Sequence, residues 1–86
     1  MPYKVILHKE AIKDLSKLKQ AGLMEKANKL LHILEDDPLT PIPRYEKLVG
    51  DMQGLYSRRI NYQHRLVYSI NEDATVIVYR MWTHHE

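Results

Sequence analysis

The side chains of this chain that could do chemistry gather in its second half. They are the carboxylate of Glu46, the imidazoles of His64, His84 and His85, and the guanidiniums of Arg58, Arg59 and Arg65. No serine stands in a recognisable nucleophile frame, and there is no cysteine. No His, Cys and Asp spacing resembles a zinc site. His84 and His85 would need further ligands from elsewhere and none is suggested, so no metal or other cofactor is expected. A carboxylate, an imidazole and several guanidiniums suit the metal-free cleavage of RNA, which supplies its own nucleophile in the 2′-hydroxyl. That reaction needs a base for the 2′-hydroxyl proton and an acid for the leaving 5′-oxygen. It also needs cations around the pentacoordinate phosphorane, whose charge exceeds that of the ground state. The combination is permissive. Glu46 and Arg65 could equally form a rim salt bridge, since ion-pair networks imitate active sites.

The stretch that carries most of these groups, Gly54–Ile70, reads as two strands joined by a short turn. In Leu55–Ile60, alternation puts Leu55, Ser57 and Arg59 on one side and Tyr56, Arg58 and Ile60 on the other. In His64–Ile70, Leu66, Tyr68 and Ile70 share the apolar face, while Arg65, Val67 and Ser69 share the opposite one. Arg65 is thus expected away from the core set. There a guanidinium on a rigid strand can hold a phosphate through two parallel hydrogen bonds.

Other elements must build the platform. Tyr3–Leu7 is β-branched and aromatic and reads as a strand. From about His8 the period changes: Ala11, Ile12, Leu15 and Leu18 form one helical stripe, with lysines and acids on the other side. Gly22 is the natural stop. A second helix is expected from about Leu23 to Glu35, with Leu23, Met24, Ala27, Leu30, Leu31 and Leu34 on its apolar face. The short link makes the two helices antiparallel neighbours. Asp36–Arg44, with Pro38, Pro41 and Pro43, must be a loop. Then come a short strand Arg44–Leu48, a turn region Gly50–Gly54, the two strands above, a turn at Asn71–Asp73, and a last strand Thr75–Met81. Tyr56 and Tyr68 read as core or edge aromatics, and Trp82 as a packing residue. The class is α+β: an N-terminal strand and two antiparallel helices packed on a twisted antiparallel sheet.

The 86 residues suffice for one small domain, residues 1–86. Without cysteine no disulfide staples it, and small unstapled domains often lean on a partner subunit. No run approaches the ~20 apolar residues of a membrane helix. No signal peptide is visible, so a soluble, cytoplasmic protein without membrane partners is expected. The net charge is only +2, but Arg44, Lys47, Arg58, Arg59 and Arg65 face just Glu46 and Asp51 between residues 44 and 65. That local excess suggests an anionic partner, nucleic acid above all.

The run from Tyr45 to Ile60 (Tyr-Glu-Lys-Leu-Val-Gly-Asp-Met-Gln-Gly-Leu-Tyr-Ser-Arg-Arg-Ile), then His-Arg-Leu-Val-Tyr at 64–68, then the terminal ring pair His84-His85, resembles the YoeB/Txe family of RelE-superfamily toxins. The resemblance covers essentially the whole chain. It implies a RelE-like fold and the toxin half of a toxin–antitoxin pair, an endoribonuclease cutting mRNA in the ribosomal A site. It further implies neutralisation by a YefM-like antitoxin, a homodimer, and operator DNA binding through the antitoxin complex. Glu46 matches the family's general base, Arg65 its phosphate-binding arginine, His84 its general acid and Arg59 a second cation. Arg58 and Lys47 are the remaining expected substrate contacts. His85 stands where the family usually has tyrosine and could itself be the acid. Val49 stands where a basic residue is common. Two rival readings are a non-catalytic relative, such as a gyrase poison of the ParE type, and a domain that only binds its antitoxin and DNA.

Overall fold

The computed structural model describes residues 2–84, and of His84 only the backbone. Strand β1 (Lys4–Leu7) leads into helix α1 (Lys9–Gln20) and helix α2 (Met24–Asp36). A four-strand meander follows: β2 (Tyr45–Lys47), β3 (Tyr56–Arg59), β4 (His64–Ile70) and β5 (Thr75–His84). A single 3-10 turn at Gly50–Met52 lies between β2 and β3. The sheet order is β1-β5-β4-β3-β2. Neighbours in the meander are antiparallel, but β1 runs parallel to β5, with Lys4 beside Thr75 and Leu7 beside Val78. The sheet is therefore mixed, not wholly antiparallel as expected. Parallel neighbours need a long crossover, and everything between β1 and β5 serves as one.

The helices end as their residues dictate. Gly22 has φ 72° and closes α1, with Gly22 N–H donating to Lys19 O and Leu23 N–H to Leu18 O. That is the glycine C-terminal motif in which two orphan carbonyls are satisfied at once. Ala11 and Leu18 of α1 and Ala27, Leu30 and Leu34 of α2 pack on Leu66, Tyr68, Val76, Val78 and Met81. One expectation fails on α1. Ile12 is exposed, and Asp14, 2% exposed, is buried in the stripe instead.

Asp14 is tolerated there because its partners lie across the core on β5. Its Oδ2 accepts from Arg80 Nε at 3.0 Å, from Met81 N–H at 2.9 Å and from Trp82 N–H at 3.2 Å. Oδ1 accepts from Arg80 Nη2 at 3.4 Å. A buried carboxylate needs such a set. The hydrogen bond to Asp14 also pushes the Arg80 pKa up. Asp14→Asn keeps an acceptor but loses the charge, and is expected to cost about 1–2 kcal/mol. Urea unfolding checks this, and a midpoint equal to the parent's would show that the charge contributes nothing.

Strand β5 runs on to His84, past the Met81 where the sequence suggested its end. It does so through two register shifts. From Val78 to Arg80 it spends two steps against one on β4, and from Arg80 to Thr83 three against two. Such extra residues bend a strand and re-aim its side chains. They keep the pairing alive, so that Thr83 lies across from Arg65 and His84 across from His64.

The proline loop is held from inside. Arg58, 1% exposed, donates from Nε to Tyr68 Oη at 3.0 Å. Its Nη2 donates to Pro38 O and Thr40 O, both at 2.9 Å, and its Nη1 to Pro43 O. Tyr68 O–H donates in turn to Pro38 O at 2.8 Å. Burial pushes the Tyr68 phenol up, which keeps that proton in place. The guanidinium also lies 5.1 Å from the ring centre of Tyr45. No helix of the described residues is long and apolar enough to cross a membrane.

Candidate functional site

The sheet face opposite the helices carries two adjacent rows of side chains. Cross-strand pairing aligns Glu46 (β2), Ser57 (β3) and Val67 (β4), and beside them Arg59 (β3), Arg65 (β4) and Thr83 (β5). Arg65 is the pivot. It is 3% exposed, and its Nη1 donates to Ser57 Oγ at 2.9 Å. Its Nη2 reaches Glu46 Oε1 at 3.3 Å, and Nη1 reaches Glu46 Oε2 at 3.3 Å. The two groups thus meet fork to fork. They differ in access: the Arg65 side chain is 4% exposed, that of Glu46 44%.

Arg65, Glu46, Ser57 and Arg59 line a hollow of about 250 Å³ together with Pro43 and Arg44. Three guanidiniums and one carboxylate therefore converge where a single anion can meet several donors. Arg59 donates from Nη1 to Tyr62 O at 3.0 Å. Among the described residues no three His, Cys, Asp or Glu stand together as a metal site.

Of the residues singled out from sequence, Glu46, Arg59 and Arg65 come together in this hollow. Arg58 does not. It was expected to touch substrate, but alternation turns it to the Tyr56 and Tyr68 face, where its guanidinium is bonded to the proline loop. Lys47 is the strand neighbour of Glu46 and lies across from Tyr56, so it lines a different hollow with Leu48, Val49 and Leu55. The backbone of His84 reaches the site's end of the sheet, whereas its side chain and the whole of His85 lie outside the described residues. His64 is buried and stacks on Trp82, with ring centres 3.7 Å apart and planes 19° from parallel. Trp82 is thus a packing residue, as the sequence suggested.

Sequence reasoning passed over Ser57, which holds Arg65, and Thr83, which lies across from it, and counted Arg44 only in the local charge excess. The signal for Ser57 was available, because alternation puts it on the Arg59 side of β3. Thr83 gave none, since its position depends on the shifted register of β5.

Comparison with known proteins gives the family. A curated toxin YoeB of Streptomyces coelicolor is 41% identical over 54 residues, covering 63% of this chain and 64% of the relative. The chain thus spans just under two thirds of the length of that curated relative. Among solved structures, a YoeB dimer from Staphylococcus aureus superposes with a TM-score of 0.82 at 30% identity, covering 99% of this chain and 100% of that one. The toxin in a YoeB–YefM complex from the same organism gives 0.78 at 30% identity with the same coverage. Residues 7–85 match the family described as YoeB-like toxin of bacterial type II toxin-antitoxin system. The chain belongs to that family.

Proposed function

We propose that this toxin is a metal-independent endoribonuclease that cuts mRNA in the ribosomal A site. The observation that carries the reading is the Arg65–Glu46 fork on the open face, flanked by Arg59 and Arg44. A guanidinium that grips a carboxylate bidentately can grip a phosphate in the same way. When the scissile phosphate takes Arg65, Glu46 is freed beside it, and its exposure lets the 2′-hydroxyl approach. Glu46 accepts the 2′-hydroxyl proton as that oxygen attacks phosphorus. Arg65 and Arg59 stabilise the phosphorane charge. The bond from phosphorus to the 5′-oxygen breaks, and that oxygen takes a proton from the tail, where His84 is the proposed donor. The products are a 2′,3′-cyclic phosphate and a 5′-hydroxyl. An imidazole, with an ordinary pKa of ~6.5, suits this donation near neutrality.

The solved YoeB–YefM complex and YoeB dimer support two partners for this chain, a YefM-like antitoxin and a second copy of itself. Substrate and ribosome place the action in the cytoplasm. The test is to incubate the purified toxin with translating ribosomes and map new 5′ ends on the message. Cleavage within the A-site codon is expected, unchanged by pre-treating the toxin with a chelator and returning the ribosome's magnesium. Intact message would sink the enzyme reading and leave a toxin that acts by binding. Activity restored only by zinc or manganese would overturn the acid–base scheme.

The tail yields an ordering. His84→Ala is expected to lose about 10²–10⁴ in single-turnover rate, the usual worth of a positioned acid. His85→Ala should lose far less, and His85→Tyr should match the parent. A dead His85→Ala beside a mild His84→Ala would assign the acid to His85.

A further inference from the structure

Next to the cationic hollow lies a second one that the reaction scheme does not use. It has a volume of about 330 Å³, at the lower end of the roughly 300–1,000 Å³ of small-molecule sites. Leu48, Val49, Met52 and Val67 line it, together with Arg65 and Thr83. Ser57 and Arg65 line both hollows. Any molecule anchored on Arg65 by an anionic group therefore has its neighbouring atoms at the mouth of an apolar slot.

Two features narrow the occupant. Val49 is 81% exposed and Met52 is also exposed, so apolar side chains stand in water at the rim of a charged site. Thr83 Oγ1 and Arg65 Nε are buried without a hydrogen-bond partner among the described residues. Buried polar atoms nearly always have partners, so these two call for one from outside the described residues. An apolar peptide side chain would fill the slot but leave both atoms unpaired. A nucleobase answers both needs, with flat apolar faces and an edge of donors and acceptors. A methionine thioether also packs well against an aromatic ring.

We propose that the slot receives the base of a nucleotide adjoining the phosphate held by Arg65, making Met52 and Thr83 specificity-determining residues. This rests on the ribonuclease reading above.

The test uses protein labelled at Val, Met and Thr methyl groups and at arginine Nε. It is titrated with a 2′-deoxy adenine dinucleotide, which cannot be cleaved, and with its analogues abasic on one or both sides. The intact dinucleotide is expected to shift Arg65 Nε together with the methyl signals of Val49, Met52, Val67 and Thr83. Removing one particular base should abolish the methyl shifts and weaken binding about tenfold, while the Arg65 response persists. Met52→Ala and Thr83→Val should weaken the intact dinucleotide roughly two- to tenfold and leave the doubly abasic analogue unchanged. If Arg65 responds equally to all ligands and the methyl groups to none, the base slot is wrong and the phosphate site stands. If the methyl groups respond only to an acidic peptide bearing leucine, the slot serves a protein partner and the proposal fails. Silence at Arg65 itself would overturn the ribonuclease reading as well.

Discussion

Arg65→Ala is expected to slow cleavage of ribosome-bound message by about 10²–10³, the usual cost of removing one preorganised donor to a developing anion. The loss should fall on the chemical step, because Arg59 and Arg44 remain to attract RNA. Arg65→Lys is the sharper test. An ammonium keeps the charge but not the planar pair of donors now hydrogen-bonded to Ser57 and to Glu46 Oε1 and in ion-pair contact with Glu46 Oε2. It should stay at least about tenfold below the parent in single-turnover rate, a margin of one good hydrogen bond to a charged group. Circular dichroism and thermal melting of both variants separate lost chemistry from lost fold. A lysine variant cleaving at the parental rate would remove the bidentate role and leave Arg65 a mere counter-ion of Glu46.

The other large effect is on stability. Arg58→Ala strips the donors from the carbonyls of Pro38, Thr40 and Pro43, takes a partner from Tyr68 Oη, and opens a cavity under the loop. Carbonyls of a proline-rich loop have no ladder to pair with, so their only substitute is water. The expected cost is about 3–4 kcal/mol. At roughly 4–8 °C per kcal/mol for a domain of this size, the melting temperature should drop by about 12–32 °C. Arg59→Ala, one residue away, should change stability by no more than ~0.5 kcal/mol, because that side chain is exposed and makes one hydrogen bond among the described residues. Equal melting curves for the two variants would mean that Arg58 does not hold the loop.

These neighbours also show what the sequence could and could not disclose. Alternation alone separates Arg58 from Arg59, and the same period separates Lys47 from Glu46. Following it strictly would have kept Arg58 and Lys47 out of the hollow of Glu46 and Arg65. Charge counted along the chain obscured this, because it ignores which face a side chain takes. The order of elements, the glycine stop of α1 and the facing of Arg65 were readable from period and turn chemistry. The parallel pairing of β1 was not, because local pattern carries no information about which distant strand becomes a neighbour. Asp14 was half legible: it occupies a stripe position between Ala11 and Leu18, yet only the amides of Met81 and Trp82 and the guanidinium of Arg80 show why an acid belongs there. The extension of β5 to His84 depends on extra residues in one strand, which leave no mark in an alternating pattern that simply loses phase.

The place of β5 between β1 and β4 has a consequence for a nascent chain. The first strand made and the fourth have nothing to pair with on their facing edges until the fifth emerges. Asp14, translated early, must wait for amides 67 and 68 positions later. A chain still short of β5 therefore holds Arg65 on an unfinished edge, with no Thr83 beside it and a core that cannot close. The face that carries Glu46 and Arg65 therefore takes shape only after β5 has cleared the exit tunnel.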